Sequence, residues 1–205
     1  MIKEMTKRKI QAEATKKKLL ATAKKLVQEH GFDNVSIESV VEGAGVSKGA
    51  FYVHFESKDA LALLLVEDYV NSVDSDYESF IKTLSLDMTI ADKLFALIGK
   101  IADVIQSIGW ANMKFLYKAH LTQNIDSTSA SSYNRKIYYV VSDLLEKGVE
   151  QGEFKTDLPI DALAKHCIIA LRGVTFEWCI HYPEFDLKEQ YLNHFNILLK
   201  GMLRC

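Results

Sequence analysis

The segment from Ser36 to Leu61 restricts the possible folds of this 205-residue chain more than any other part. Its first half has apolar residues at the spacing of an amphipathic helix. Gly45 follows, and glycine readily adopts the left-handed conformation that ends a helix and turns the chain. Ser47 can then cap a second short helix, over residues 48–55. Two short helices joined by a turn that contains glycine are typical of a helix-turn-helix unit.

The second helix of this unit has two different faces. Helical spacing predicts that Phe51 and Phe55 point inward. The opposite face presents small, charged or hydrogen-bonding residues: Lys48, Gly49, Tyr52 and His54. The start of the second helix in such a unit contacts base edges in the major groove, so we expect this region to bind double-stranded DNA. The complete set of expected DNA-binding residues is Ser36, Val46, Ser47, Lys48, Gly49, Ala50, Phe51, Tyr52, His54, Phe55 and Lys58.

Residues 31–61 resemble the DNA-binding signature of the TetR family of bacterial transcriptional regulators. Their sequence is G-F-D-N-V-S-I-E-S-V-V-E-G-A-G-V-S-K-G-A-F-Y-V-H-F-E-S-K-D-A-L. The resemblance rests on the A-G-V-S-K-G turn, the F-Y-x-H-F helix and the S-K-D-A-L start of the next helix. It departs mildly at Ser36, where threonine is more usual, and at Val40 and Val41, where isoleucine and alanine are. It covers about the first third of the chain.

The resemblance implies an all-α protein with two domains. An N-terminal three-helix helix-turn-helix domain would occupy residues 13–73, and a C-terminal helical ligand-binding and dimerisation domain residues 74–205. Composition agrees, because only Pro159 and Pro183 interrupt the chain and no run alternates convincingly between apolar and polar residues. Outside the motif, the expected helices cover residues 12–30, 58–84, 87 or 89 to 109, 110–121 and 133–151, with one more from residue 160 and a last one after Pro183.

Charge is distributed unevenly along the chain. The net charge is −2, but residues 1–58 contain 11 Lys and Arg against 7 Asp and Glu, whereas residues 59–205 contain 14 against 20. The positive part coincides with the motif, as expected for a surface that neutralises DNA phosphates. Alternatively, this positive charge belongs to a first helix that is only exposed to solvent and does not bind DNA.

The last two expected helices are apolar on more than one side. Pairing with a second copy about a twofold axis would bury the excess in a four-helix bundle. A core helix within one chain is the alternative, but the TetR resemblance implies that these helices form a homodimer interface. The dimer would hold two recognition helices about 34 Å apart, which predicts a palindromic operator. The expected dimerisation residues are Leu171, Gly173, Val174, Trp178, Tyr191, Phe195, Leu198 and Leu199, with Gly173 allowing close approach of the partner helix.

The resemblance also implies a small-molecule effector that enters the C-terminal domain and releases the protein from DNA. Apolar pockets with a few polar groups are the usual ligand sites. The expected ligand-binding residues are Phe95, Trp110, Met113, Tyr117, His120, Tyr139, Cys167, Leu171 and Phe176, and core packing is the alternative for each. A second interpretation is a TetR-like DNA-binding protein without an inducer, which acts through a protein partner. A filled C-terminal core with a large exposed apolar patch would favour that interpretation.

Other functions find little support in the sequence. The G-x-S-x-G pattern of residues 45–49 is typical of a hydrolase only after a β-strand, and the preceding residues are predicted to be helical. Cys167 and Cys179 lie too far apart on one predicted helix for a disulfide, and no residues have the spacing of metal ligands. We therefore expect no enzyme activity, cofactor or metal. No apolar run approaches the roughly 18 residues of a membrane span, and we expect a cytoplasmic protein.

Overall fold

A computed structural model describes residues 7–122, 133 and 135–202 of the chain. These residues form α-helices and contain no β-strand, which confirms the all-α prediction. The helices are α1 (Lys7–His30), α2 (Ile37–Ala44), α3 (Lys48–His54), α4 (Lys58–Thr83), α5 (Ile90–Ile108), α6 (Trp110–Thr122), α7 (Lys136–Glu150), α8 (Ile160–His181) and α9 (Leu187–Lys200), and a 3₁₀ turn, Phe32–Asn34, follows α1.

The described residues bury two separate apolar clusters. The N-terminal cluster is formed by α1, α2, α3 and the start of α4, and its buried members are Leu19, Ala23, Val35, Val40, Phe51, Phe55 and Leu61. The C-terminal cluster is larger and extends from the second half of α4 to α9. Helix α4 belongs to both, because Leu61 lies in the first cluster while Val73 and Tyr77 lie in the second. This single long helix therefore connects the two parts of the protein.

A residue in the loop after α7 caps the first turn of α5. Both carboxylate oxygens of Glu153 accept backbone hydrogen bonds there, from the N–H of Ile90 at 3.0 Å and from that of Ala91 at 3.2 Å. These N–H groups have no partner within their own helix, so the carboxylate satisfies donors that would otherwise need water. Thr89 adds a side-chain cap by accepting from the N–H of Asp92. The first turn of α5 is thus held from two directions.

Helices α8 and α9 are joined to the core by one buried polar cluster. The Tyr191 hydroxyl donates to the carbonyl of Leu171 at 3.1 Å and lies within hydrogen-bonding distance of the Thr175 hydroxyl. Burial raises the pKa of Tyr191 far above its ordinary value, so this hydroxyl stays protonated. The two helices are therefore fixed to each other by specific hydrogen bonds as well as by apolar packing.

Two helix starts differ from the expected ones. Helix α7 begins at Lys136 instead of residue 133, and its start has no side-chain cap that a sequence pattern would reveal. Helix α1 is already helical at Lys7, the first described residue, instead of beginning at residue 12. Within the described residues, no helix alone is long and apolar enough to cross a membrane, and α5 with α6 passes that test only as a pair bent by 90°.

Candidate DNA-binding surface

Serine hydroxyls set the starts of the three helices at this surface. The Ser36 hydroxyl accepts from the N–H of Ser39 at 3.0 Å, and the Ser39 hydroxyl accepts in return from the N–H of Ser36. Ser47 caps α3 by accepting from the N–H of Ala50, and Ser57 caps α4 by accepting from that of Ala60. Each hydroxyl satisfies an N–H group that the first turn of a helix leaves free. The cap predicted for Ser47 is confirmed.

The turn between α2 and α3 depends on Gly45. This residue has φ 64° and ψ 39°, the left-handed conformation that only glycine adopts without strain. Its N–H and that of Val46 bond to the carbonyl of Val41, which closes the end of α2. Val46 is half-buried against the N-terminal cluster. The turn therefore fixes the direction in which α3 leaves α2.

The inner face of α3 consists of aromatic rings. Phe51 and Phe55 are buried in the N-terminal cluster with their ring centroids 5.3 Å apart, as the helical spacing predicted, and Ala50 is half-buried beside them. Burial changes the expected role of the two phenylalanines. They support α3 from inside the protein and present almost no surface on its outer face.

The outer face of α3 is open to solvent. Lys48 and Gly49 are exposed, Tyr52 is 50% exposed and Val53 is 78% exposed. His54 is only half-exposed. Val53 was not among the expected DNA-binding residues. Its position next to Tyr52 was the only available signal, and a methyl-bearing side chain there suits contact with a thymine methyl group.

Lys48 forms an ion pair across the surface. Its Nζ lies 2.5 Å from Oε1 of Glu38, near the start of α2, and both side chains are largely exposed. The hydrogen bond to Lys48 lowers the pKa of Glu38, and the hydrogen bond to Glu38 raises the pKa of Lys48. Both groups are therefore charged at neutral pH. The cation at the start of α3 is accompanied by an anion on the same surface.

Ser36 and Lys58 differ from the other expected DNA-binding residues. Ser36 is exposed, but its hydroxyl is already used by the cap of α2. The Nζ atom of Lys58 lies 4.5 Å above the centre of the Phe32 ring. The ring of Phe32 in turn lies 4.0 Å from that of Phe115 on α6. Lys58 is thus also part of the junction between the two clusters.

Two cavities in the described part of the chain are each lined by one of the expected ligand-binding residues. Tyr139 is 57% exposed, so it faces solvent. Met113 lines a cavity at the base of α6, whereas Cys167 lines a groove on the surface of α8 and α9. Leu171 is buried in the C-terminal cluster, and Phe95 packs partly buried against it. The side chain of His120 lies outside the described residues.

Three of the expected ligand-binding residues instead join α6 to α8. The indole N–H of Trp110 donates to the carbonyl of Cys179 at 2.9 Å, and the Tyr117 hydroxyl donates to that of Arg172 at 2.8 Å. The Tyr117 ring also meets that of Phe176 edge-on. Burial is the main reason that the pKa of Tyr117 rises to about 12. The polar groups of Trp110 and Tyr117 therefore already have partners within the protein.

Most of the expected dimerisation residues are buried in the core of their own protomer. Six are buried in its own C-terminal cluster: Leu171, Val174, Trp178, Tyr191, Phe195 and Leu199. Gly173, Val174 and Leu198 line an open groove of about 800 Å³ between α8 and α9. The exposed apolar side chains of these helices are others, namely Ile169, Phe176, Ile180 and Ile197. The helices are apolar on two sides, as predicted. The stripe of α8 that faces outward contains Ile169, Phe176 and Ile180, and not the expected dimerisation residues.

Neither metal ligands nor reactive thiols are evident in the described residues. No group of three His, Cys, Asp or Glu side chains there is arranged to hold a metal ion. Cys167 and Cys179 are free and buried, and burial raises the pKa of each thiol to about 11. A thiol with so high a pKa is almost entirely protonated at neutral pH and is a poor nucleophile.

Comparisons with known proteins agree with this geometry. Residues 19–65 match the family described as "Bacterial regulatory proteins, tetR family". The chain is 32% identical over 69 residues to the HTH-type transcriptional regulator EthR of Mycolicibacterium smegmatis, covering 34% of this chain and 32% of that protein. It is 26% identical over 147 residues to the uncharacterized HTH-type transcriptional regulator YfiR of Bacillus subtilis, covering 72% and 71%. The matched part thus spans about a third of EthR.

Solved structures share the fold. The structure of Thermus thermophilus FadR, described as a TetR-family transcriptional repressor in complex with lauroyl-CoA, aligns with a TM-score of 0.72 at 18% identity. The alignment covers 93% of this chain and 96% of that one. At this identity the likeness concerns the arrangement of the helices and not the ligand.

Proposed function

We propose that this chain, which belongs to the TetR family of bacterial transcriptional regulators, acts as a homodimeric repressor on a palindromic operator. The exposed outer face of α3 is the observation that carries the proposal. Lys48, Gly49, Tyr52 and Val53 are presented there by a helix that is capped at its start and supported by buried rings. A short rigid helix with its polar face outward suits insertion into the major groove. Its relatives are named as transcriptional regulators and not as enzymes.

Phosphate contacts supply the affinity in this proposal. Lysines recur along α1, and Lys48 stands at the start of α3. Each lysine that neutralises a phosphate releases a counterion, so operator binding weakens as salt rises. Tyr52 donates its hydroxyl to a phosphate oxygen, and Val53 packs against a base edge. The helix-turn-helix domain of residues 13–73 would act as one reading unit, followed by the C-terminal domain of residues 74–205.

Dimerisation through α8 and α9 provides the second reading unit. The open groove between these helices and the exposed side chains of Ile169, Phe176, Ile180 and Ile197 form an apolar surface that a second copy would cover. Burying such surface about a twofold axis gives the four-helix bundle expected from the sequence. The two α3 helices would then reach successive major grooves on one side of the duplex.

Release from DNA would follow the binding of a small, largely apolar effector in the C-terminal domain. The FadR neighbour, which is described with lauroyl-CoA bound, supports a small-molecule effector with an apolar acyl chain by analogy of fold, although the CoA part of that ligand is charged. Helix α4 passes through both apolar clusters, so a shift at its second half would move the part that carries the helix-turn-helix unit. An effector site there would change the separation of the two α3 helices.

The alternative, a regulator that acts through a different protein, depends on the same apolar surface of α8 and α9. The two proposals predict different association states for the purified protein. A homodimer would cover the surface with a second copy, whereas a chain that awaits another partner would remain monomeric or associate weakly. Sedimentation velocity at micromolar concentration separates these outcomes.

Mapping the DNA that this protein occupies in its own cells tests the proposed function. We expect a small number of sites that share one palindromic sequence, with half-site centres about one helical turn apart. A duplex of that sequence should bind the purified protein, and transcription of adjacent genes should rise when the protein is removed. Sites without a twofold symmetric sequence would contradict the proposed dimer, and transcription that falls would show an activator.

Glu38→Gln should strengthen operator binding several-fold. The Glu38 carboxylate holds the Lys48 ammonium on the DNA-facing surface and repels phosphate, so removing its charge favours the complex. The effect should shrink as salt rises, because both charges are exposed. Fluorescence anisotropy with a labelled operator at several salt concentrations measures it. Glu78→Gln is the matched control, since it removes the same charge from a similar exposed pair with Lys82 at the far end of α4. Equal affinity for the two variants would show that Glu38 does not face DNA.

A further inference from the structure

The open groove between α8 and α9 contains two histidines. His166 belongs to α8 and His194 to α9, and both residues are exposed in the single chain. Most of the other residues that line the groove are apolar, and they include Leu163, Ile169 and Leu198. The side chain of a histidine gains a positive charge as pH falls through about 6.5, within the range that cells experience. The charge of this mainly apolar surface therefore depends on pH.

Two other titratable side chains line the groove in the described part of the chain, Cys167 and Glu177. Burial raises the pKa of Cys167 to about 11, so its thiol stays neutral. The Glu177 carboxylate lies 3.3 Å from Nε2 of His181, one turn further along α8. In acid, each copy therefore brings the imidazolium groups of His166, His181 and His194 to this face against a single carboxylate. A second copy of the chain would bring the same excess of positive charge.

The exposed residues of α8 have the spacing of a seam between two helices. His166, Ile169, Gly173, Phe176 and Ile180 are all exposed, at successive intervals of three and four residues. This alternation is the heptad pattern of helices that pack side by side. A Cβ atom at Gly173 would meet no atom of another element of the protomer within 4 Å, so the middle of the seam is open. The seam suits a second copy of α8, and His166 occupies one of the positions that such packing buries.

We propose that protonation of His166 and His194 separates the two chains of the homodimer, so that the dimer dissociates as pH falls. The inference rests on the proposed function and concerns the regulation of its dimer. Association removes water from these imidazoles, which disfavours their charged form. The imidazolium groups of the two copies also repel each other, because the carboxylates are too few to balance them. The dimer thus binds fewer protons than two separate chains. Its stability is complete above the pH at which exposed imidazoles titrate and is lost below it.

Sedimentation equilibrium of the full-length protein at a series of pH values tests the proposal. The dissociation constant of the dimer should rise roughly 80-fold between about pH 8 and about pH 5.5, since a penalty of about three-fold for each of four imidazoles multiplies to that value. Ordinary carboxylates remain mostly ionised over this range, so the change reports on histidine. Circular dichroism at each pH verifies that the chain stays folded. A dissociation constant that is unchanged or smaller at about pH 5.5 would overturn the proposal.

Replacing both histidines tests whether they cause the effect. The double variant with His166→Gln and His194→Gln keeps polar side chains but carries no charge there at any pH. The dissociation constant of its dimer should change by less than about three-fold over the same range. His30→Gln is the matched control, because His30 is exposed at the end of α1 and does not line the groove. It should keep the full pH dependence. A double variant whose dimer weakens in acid as much as that of the wild type would reject the role of these two residues.

The possible outcomes separate this proposal from the proposed function. A dimer whose stability does not depend on pH leaves the homodimeric regulator standing and removes its regulation by pH. A protein that is monomeric at every pH at micromolar concentration contradicts the homodimer and this proposal with it. If the dimer dissociates in acid as expected but the protein binds no palindromic duplex at about pH 8, the regulation of assembly stands and the proposed function fails.

Discussion

Tyr52→Ala should weaken operator binding by about 100-fold or more. The side chain is half-exposed on the outer face of α3, where its hydroxyl is free to donate to a phosphate oxygen. A hydrogen bond to a charged group contributes about 1.5–3 kcal/mol, and a dimer makes the contact twice. The combined loss of about 3 kcal/mol or more corresponds to at least two orders of magnitude in Kd. Fluorescence anisotropy with a labelled operator measures the change.

The control for this variant is Tyr52→Phe, which keeps the ring and removes only the hydroxyl. It should reproduce most of the loss if the hydroxyl contacts phosphate. The fold should survive in both variants, because the buried anchor of α3 is Phe51 and not Tyr52. An unchanged thermal unfolding temperature for both variants would verify that their fold is intact. Affinity of Tyr52→Ala within two-fold of the wild type would show that α3 does not enter the duplex as proposed.

Gly173→Leu should convert the dimer into monomers at micromolar concentration. A Cβ atom at Gly173 would meet no atom of another element of the protomer within 4 Å, so the new side chain would start in open space. Leucine is also a better helix former than glycine, by about 0.8 kcal/mol. The protomer should therefore be no less stable. In a dimer packed across this groove, the added side chain would collide with the partner on both sides of the twofold axis.

The expected loss follows from the cost of overpacking, which is about 1–3 kcal/mol for each inserted side chain. Two such insertions weaken self-association by roughly 100-fold or more. Sedimentation velocity over a concentration series measures it, and Gly173→Ala is the control because a single methyl group should leave most of the dimer intact. A Gly173→Leu protein that sediments as wild type would refute close packing at this position. The dimer would then have to pack through another part of the surface.

The helix-turn-helix unit was predictable because its determinants are local. A serine hydroxyl bonds to an N–H group three residues later, and Gly45 adopts a conformation that its own lack of a side chain permits. Neither depends on distant parts of the chain. The inward positions of Phe51 and Phe55 follow from helical spacing alone. The same spacing gave no reason to expect that Phe51 and Phe55 contact DNA, because buried rings support the outer surface of α3 without being part of it.

The C-terminal surfaces were harder to predict because they depend on how helices meet. Helix α8 has two apolar stripes, and spacing does not reveal which one faces its own core. The structure buries Leu171 and Trp178 and leaves Ile169 and Ile180 exposed. Aromatic residues present the same ambiguity. Trp110 and Tyr117 pack against α8, whereas Tyr139 faces solvent, and only the relative placement of helices separates these cases.

The carboxylate of Glu153 has a consequence for where the C-terminal part of the protein can bend. An unsupported helix end frays, but the first turn of α5 is bound by a residue 63 positions later in the chain. The opposite end of the same helix stops at Gly109, whose φ of 85° allows the sharp change of direction into α6. Helix α5 is thus bound at its first turn and changes direction sharply at its last. Because Trp110 and Tyr117 bond α6 to α8, a displacement of α6 would have to be shared by α8.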